Sequence, residues 1–158
     1  MKNQRMLDEL TELMRIDVSS GQETEIAEHL VKKLEQMGFA ITRDEAGATF
    51  GGVCGNILAV REGERDGVVC FCSHMDRVPG GIGIKPVEED GILRSSSDTI
   101  LAADDLSGVA AILEGVRQAI ESGKALPKLE IFFTVGEEAG LYGAKAFDVS
   151  LLTSKTMY

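Results

Sequence analysis

Gly67-Val68-Val69-Cys70-Phe71-Cys72-Ser73-His74-Met75-Asp76 is the stretch that decides the fold. It is apolar almost throughout and then ends on an imidazole and a carboxylate. An unbroken apolar run of this length, residues 67–73, suits a strand covered on both faces. Residues 128–135 form a second such run, with Ile131-Phe132-Phe133-Thr134-Val135 at its heart, and lead into Glu137-Glu138. Between the two runs, residues 105–122 place Val109, Ile112, Leu113, Val116 and Ile120 at helical spacing behind Asp104-Asp105. Buried strand, helix, buried strand is the unit of a layered α/β sheet.

Working outward, residues 5–16 carry Leu7, Leu10, Leu13 and Met14 on one helical face. Val18-Ser19-Ser20-Gly21 breaks that helix. Ser20 with Glu23 three residues on is a capping-box signature for the next helix. That helix buries Ile26, Leu30, Val31, Leu34 and Met37, and Gly38 suits its C-terminal cap. His29 lies between Glu28 and Lys32 and is expected to face solvent. Residues 39–43 and 56–61 are further strands, and 84–88 with 92–94 form a hairpin around Glu89-Asp90-Gly91. Residues 140–147 suit a short helix. The expected fold is α/β, a three-layer αβα arrangement with a mixed, largely parallel sheet.

Composition bounds the function classes. A chain of 158 residues fits one domain by length and buries roughly 70% of its unfolded surface. The net charge is −10, with no block of Lys or Arg, which argues against nucleic acid and against an anionic membrane as partners. Charges crowd residues 1–9 where a signal peptide needs an apolar core, and no run reaches the length of a membrane span. Three cysteines without an export signal read as reduced thiols in a cytoplasmic protein. Cys70 and Cys72 sit inside the apolar run, where cysteine acts as a small hydrophobe. Gly80-Gly81-Ile82-Gly83 lacks the spacing of a dinucleotide-binding loop, and Pro79 and Pro86 mark it as a turn.

The chemistry sits at the strand ends, where α/β sheets bind ligands. His74 offers an imidazole to a divalent metal, and Asp76, two residues on, can accept the hydrogen bond of the other ring nitrogen. Asp104 adds a short carboxylate able to bridge two metals. Glu137 and Glu138, in an extended segment, point in opposite directions, so one can bind metal while the other serves as general base. Each cluster alone has a bland reading: a strand end, a helix N-cap, a charged surface. Their shared placement at strand and helix ends points to a hydrolytic metal site.

Three long elements then resemble those of peptidase T-like metallopeptidases. Ser73-His74-Met75-Asp76-Arg77-Val78-Pro79 is similar to their SHMDTVP element. Ile100-Leu101-Ala102-Ala103-Asp104-Asp105-Leu106-Ser107-Gly108-Val109-Ala110-Ala111-Ile112 is similar to ILGADDKAGVAAI. Phe133-Thr134-Val135-Gly136-Glu137-Glu138-Ala139-Gly140-Leu141-Tyr142-Gly143-Ala144-Lys145 is similar to FTVGEEVGLLGAK. Gly55-Asn56 and Gly83-Ile84-Lys85-Pro86 fit as well. The resemblance implies a co-catalytic site with two zinc ions. His74 would bind one zinc, Asp104 would bridge both and Glu138 would bind the other. Asp76 would orient His74, Glu137 would be the general base, and the peptide after Asp104 would be cis. Arg77, Leu106 and Ala102 depart from the usual Thr, Lys and Gly. Arg77 is expected to reach solvent, or else to add charge near the metals.

The resemblance further implies another metal-binding Asp, a lid domain and a final His, none of which residues 1–158 contain. The chain is therefore expected to be the N-terminal segment of the catalytic domain, with the lid or dimerisation domain and the C-terminal segment absent. The implied function is metal-dependent hydrolysis of short peptides, of the aminopeptidase or tripeptidase type, by a zinc-activated water. Two other readings stand beside it. One is a truncated, non-catalytic domain that binds partners or self-associates as a homo-oligomer. The other is an N-acyl-amino-acid deacylase. The 158-residue chain alone is expected to hydrolyse tripeptides with zinc at little or no rate, and measurable zinc-dependent release of amino acids by it would overturn that expectation.

Overall fold

The computed structural model describes residues 4–158. Helix α1 (Gln4–Met14) and helix α2 (Thr24–Gln36) come first, followed by strand β1 (Ala40–Arg43). A 3-10 turn (Ala46–Phe50) precedes β2 (Ile57–Arg61) and β3 (Val68–His74). The hairpin β4 (Pro86–Glu89) and β5 (Ile92–Ser95) stands apart as a two-stranded sheet, with Asp90-Gly91 as its turn. Helix α3 (Ala103–Glu121), strand β6 (Lys128–Thr134) and the short helix α4 (Tyr142–Ala146) complete the order. Every helix and strand expected from the sequence is present, with ends displaced by a residue or two. Among the described residues no helix is long and apolar enough to cross a membrane.

The main sheet runs β1-β2-β6-β3. It is mixed, but β1–β2 and β2–β6 pair antiparallel and only β3–β6 is parallel, which corrects the expectation of a largely parallel sheet. Connection length is the cause. A parallel crossover needs a dozen or more residues, and α3 supplies one between β3 and β6. The short link from β2 to β3 can only reverse the chain, and β6 then fills the space between them.

One sheet face packs on the helices. Ile57, Ala59, Leu129, Ile131 and Phe133 meet Leu13, Leu30, Leu34, Val109 and Leu113 in one buried cluster. Leu58 and Phe132 point to the other face, where the Phe147 ring lies 4.1 Å from that of Phe132. Glu130 is fully buried on that face and accepts hydrogen bonds from the amides of Thr153 (2.8 Å) and Ser154 (3.0 Å). Strand β3 is less covered than its apolar sequence suggests, since Val68, Val69, Phe71 and Cys72 are half-buried. It lies at the sheet edge, where among the described residues only Met157 and Tyr158 pair with its outer side, and an open apolar groove of about 590 Å³ runs between β3 and α3. All three cysteines are free, and burial pushes the Cys70 thiol up to about 12.

Glu130→Ala removes the acceptor of two amides and is expected to lower stability by about 2 kcal/mol in urea unfolding, with faster proteolysis within residues 147–158.

Candidate metal centre

The parallel register of β3 and β6 sets His74 opposite Thr134, so the two strands end side by side. The main chain stays joined one step further, where the Met75 amide donates to the Thr134 carbonyl at 2.9 Å. His74 and Glu138 therefore leave the sheet at the same edge. The start of α3 faces that edge and brings Asp104 to it. The His74 Nε2 lies 3.2 Å from Asp104 Oδ1 and 3.9 Å from Glu137 Oε2. His74, Asp104 and Glu138 each present one donor atom, all within 4.8 Å of one another.

The adjacent aspartates divide two tasks. Asp105 is the true helix cap: its Oδ1 accepts from the Gly108 amide at 3.1 Å, the bond an N-cap makes to the third helical residue. A Cβ at Gly108 would lie 2.5 Å from that carboxylate, so the cap needs a glycine there. Asp105 Oδ2 also accepts from the Ser73 hydroxyl at 2.7 Å. Asp104 caps nothing, and its side chain is 85% exposed beside His74. The peptide between them is cis. Just before them Ala102 has φ of 58°, a left-handed conformation that suits the family's usual glycine and costs an alanine about 1 kcal/mol. Leu106, where relatives usually have Lys, is fully buried in the core.

Glu137 and Glu138 do not diverge as an extended segment would make them. Strand β6 ends at Thr134, and Gly136 bends the chain with φ of 60°, bringing both carboxylates to the His74 side. Phe50 lies so close over Gly136 that a Cβ there would meet its ring at 2.6 Å.

Asp76 is fully buried. The His74 Nδ1 donates to the Asp76 main-chain carbonyl at 3.0 Å, while the Asp76 carboxylate stands 3.5 Å from the same nitrogen. That carboxylate is bonded elsewhere. Its Oδ1 accepts from the Glu137 amide at 2.9 Å, and its Oδ2 accepts from the Glu138 amide at 3.1 Å and the Ser20 hydroxyl at 2.5 Å. Burial works against a charged Asp76, but these bonds and His74 hold its carboxyl below the usual range. Burial likewise opposes charge on His74, yet Asp76 and Asp104 outweigh it and raise the metal-free imidazole to about 9. Desolvation and the neighbouring carboxylates push Glu138 up. One imidazole and two carboxylates could together hold a divalent cation, and the exposed Asp104 side leaves the group open to solvent.

The sequence misses Ser20 and Glu23 as parts of this region, because the capping box it suggests does not form. Ser20 bonds to Asp76 instead, and the α2 N-terminus has no side-chain cap. Glu23 is fully buried, with Oε1 accepting from the amides of Gly21 (2.8 Å) and Gly136 (3.0 Å), and burial raises its carboxyl. Asn56 is a further support, accepting from the Val135 amide at 3.1 Å and donating to the Gly143 carbonyl at 2.9 Å.

Arg77 does not reach solvent, and its guanidinium bonds main-chain carbonyls rather than the candidate ligands. It is 1% exposed, and its guanidinium donates to the carbonyls of Gly81 and Ile16, both at 2.9 Å, and to Leu13 and Met14, both at 3.4 Å. It thus serves the end of α1, whose own last turn has no basic residue. His29, expected in solvent, is half-buried with its Nε2 3.9 Å from both Glu9 and Glu12. Those carboxylates form a second three-donor group with it, but the Lys33 ammonium already sits 2.8 Å from each.

This arrangement of strands and donors defines a class. Residues 56–156 match the model of peptidase family M28, and the chain belongs to that family. Its fold superposes on the aminopeptidase PepT of Bacillus cereus with a TM-score of 0.95 at 38% identity, over 99% of this chain and 42% of that one. A tripeptidase of Staphylococcus aureus gives 0.93 at 34% identity with the same two coverages. The protein YqjE of Bacillus subtilis is 36% identical over the whole of this chain and 43% of its own length. The chain thus spans less than half of these relatives. The peptidase T-like resemblance is upheld by both structures.

Arg77→Met would remove the side-chain donor of the Gly81 and Ile16 carbonyls, and is expected to cost about 3 kcal/mol in urea unfolding.

Proposed function

We propose that the chain is the N-terminal segment of a peptidase catalytic domain that hydrolyses short peptides with zinc. The observation that carries this reading is the convergence of His74, Asp104 and Glu138 within 4.8 Å, with Glu137 beside them, where two strands end and α3 begins. His74, Asp104 and Glu138 would hold zinc, and in the reading's full form Asp104 would serve two ions. When bound, zinc supplies Lewis acidity to the scissile carbonyl and makes water a stronger acid.

The chain's own residues do the rest. Glu137 is the general base: it stands beside the ligand group and is one-third exposed, so it reaches both that group and solvent. It takes a proton from the attacking water and can return it to the leaving amine. His74 donates its Nδ1 proton to the Asp76 carbonyl, which leaves Nε2 as the ligand atom. Asp76 positions both glutamates through their amides. Short peptides are the substrate class favoured by the names of the two similar structures, an aminopeptidase and a tripeptidase.

In the complete enzyme, Glu137→Gln is expected to lower kcat on a tripeptide by at least about 100-fold while zinc content, read by atomic absorption, stays unchanged. Activity kept within tenfold would remove Glu137 from its role. A parent enzyme that neither binds zinc nor needs it would sink the metal reading.

A further inference from the structure

We propose that Glu23 is a positioning residue for this site: its buried carboxylate grips the Gly136 amide and, with Asp76, fixes the loop that carries Glu137 and Glu138. The inference rests on the reading of those two glutamates as base and ligand.

Three successive amides leave the end of β6, and each is held by a buried carboxylate. Gly136 donates to Glu23 Oε1 at 3.0 Å, Glu137 to Asp76 Oδ1 at 2.9 Å and Glu138 to Asp76 Oδ2 at 3.1 Å. Consecutive amides turned to one side make a concave donor surface suited to anions. Here the anions are side chains of the protein itself. The same short turn touches both of them, because the Ser20 hydroxyl bonds to Asp76 and the Gly21 amide to Glu23.

Glu23 has no role that a cap would explain, as it makes no side-chain bond to its own helix terminus. Burying a carboxylate is costly unless hydrogen bonds compensate it; the bonds to Oε1 go to turns rather than to α2, and Oε2 is buried without a partner. The Gly136 bend turns Glu137 and Glu138 back toward His74. Phe50 packs on this bend, itself stacked on Tyr142 with ring centroids 5.0 Å apart. Glu23 holds its amide. Glu23 therefore acts through the main chain and touches no reacting atom.

The test compares Glu23→Gln, which keeps an oxygen to accept both amides, with Glu23→Leu, which keeps bulk but no acceptor. Amide hydrogen exchange by NMR and titration with zinc alone are read on the 158-residue chain. Glu23→Leu is expected to lose Gly136 protection by about tenfold or more and to bind zinc about 10- to 100-fold more weakly, with α1 and α3 amides unchanged. Glu23→Gln is expected to stay within about threefold of the parent in both. A folded Glu23→Leu chain with parental protection and zinc affinity overturns the proposal. If that variant does not fold, the others decide. Fast Gly136 exchange in the parent overturns it, and so does weak zinc binding by Glu23→Gln with Gly136 still protected. A parent chain that binds no zinc counts against the metal reading, while Gly136 exchange still judges Glu23.

Discussion

The buried carboxylate of Asp76 is the constraint on which the rest of the site depends. One side chain joins the turn after α1, the end of β3 and the loop after β6, through the Ser20 hydroxyl and the amides of Glu137 and Glu138. Those bonds exist only if β3 and β6 end level with each other. The parallel register that pairs Ser73 with Phe133 and His74 with Thr134 provides this. A slip of one residue would turn each apolar side chain to the opposite face, so the same core that stabilises the sheet also fixes where the ligands emerge.

Asp76 is one case of a wider pattern. Glu23, Asp76, Arg77 and Glu130 are all buried, and each binds the main chain of segments far away in sequence. The carboxylates take amides, and the guanidinium takes carbonyls. They satisfy polar groups where helices and strands stop, which are the groups that regular structure leaves unpaired. A domain with many loops at one edge needs such side chains more than it needs further ion pairs. The surface pairs, such as Lys128 with Glu62, add little by comparison.

Much of this was legible in the sequence, and the remainder shows where local reading stops. Apolar periodicity located the strands and helices because burial imposes it directly. His74, Asp104 and Glu138 stood out because each follows or precedes a strongly patterned segment. The sheet's direction was harder, because it depends on which strand fills the gap between β2 and β3. Ser20 and Glu23 have cap-like spacing, yet their partners lie at 76 and 136, beyond any local window. Arg77 looked like a surface charge because nothing near it in sequence reveals the carbonyls of α1. The bend at Gly136 escaped notice for the same reason: an extended continuation of β6 is the default, and the carboxylates of Glu23 and Asp76 that hold the bent main chain lie far away in sequence.

The split between Asp104 and Asp105 has an evolutionary corollary. The two residues read as a repeat, but each is kept for its own reason. The role at 105 is to offer two oxygens, one to the Gly108 amide and one to the Ser73 hydroxyl, which a carboxylate does and the single side-chain oxygen of Asn, Ser or Thr does not. The role at 104 is to bring negative charge to an exposed position beside an imidazole, and only a carboxylate has that. Homologous chains should therefore favour a carboxylate at both positions for two separate reasons, a paired acceptor at the second and exposed negative charge at the first.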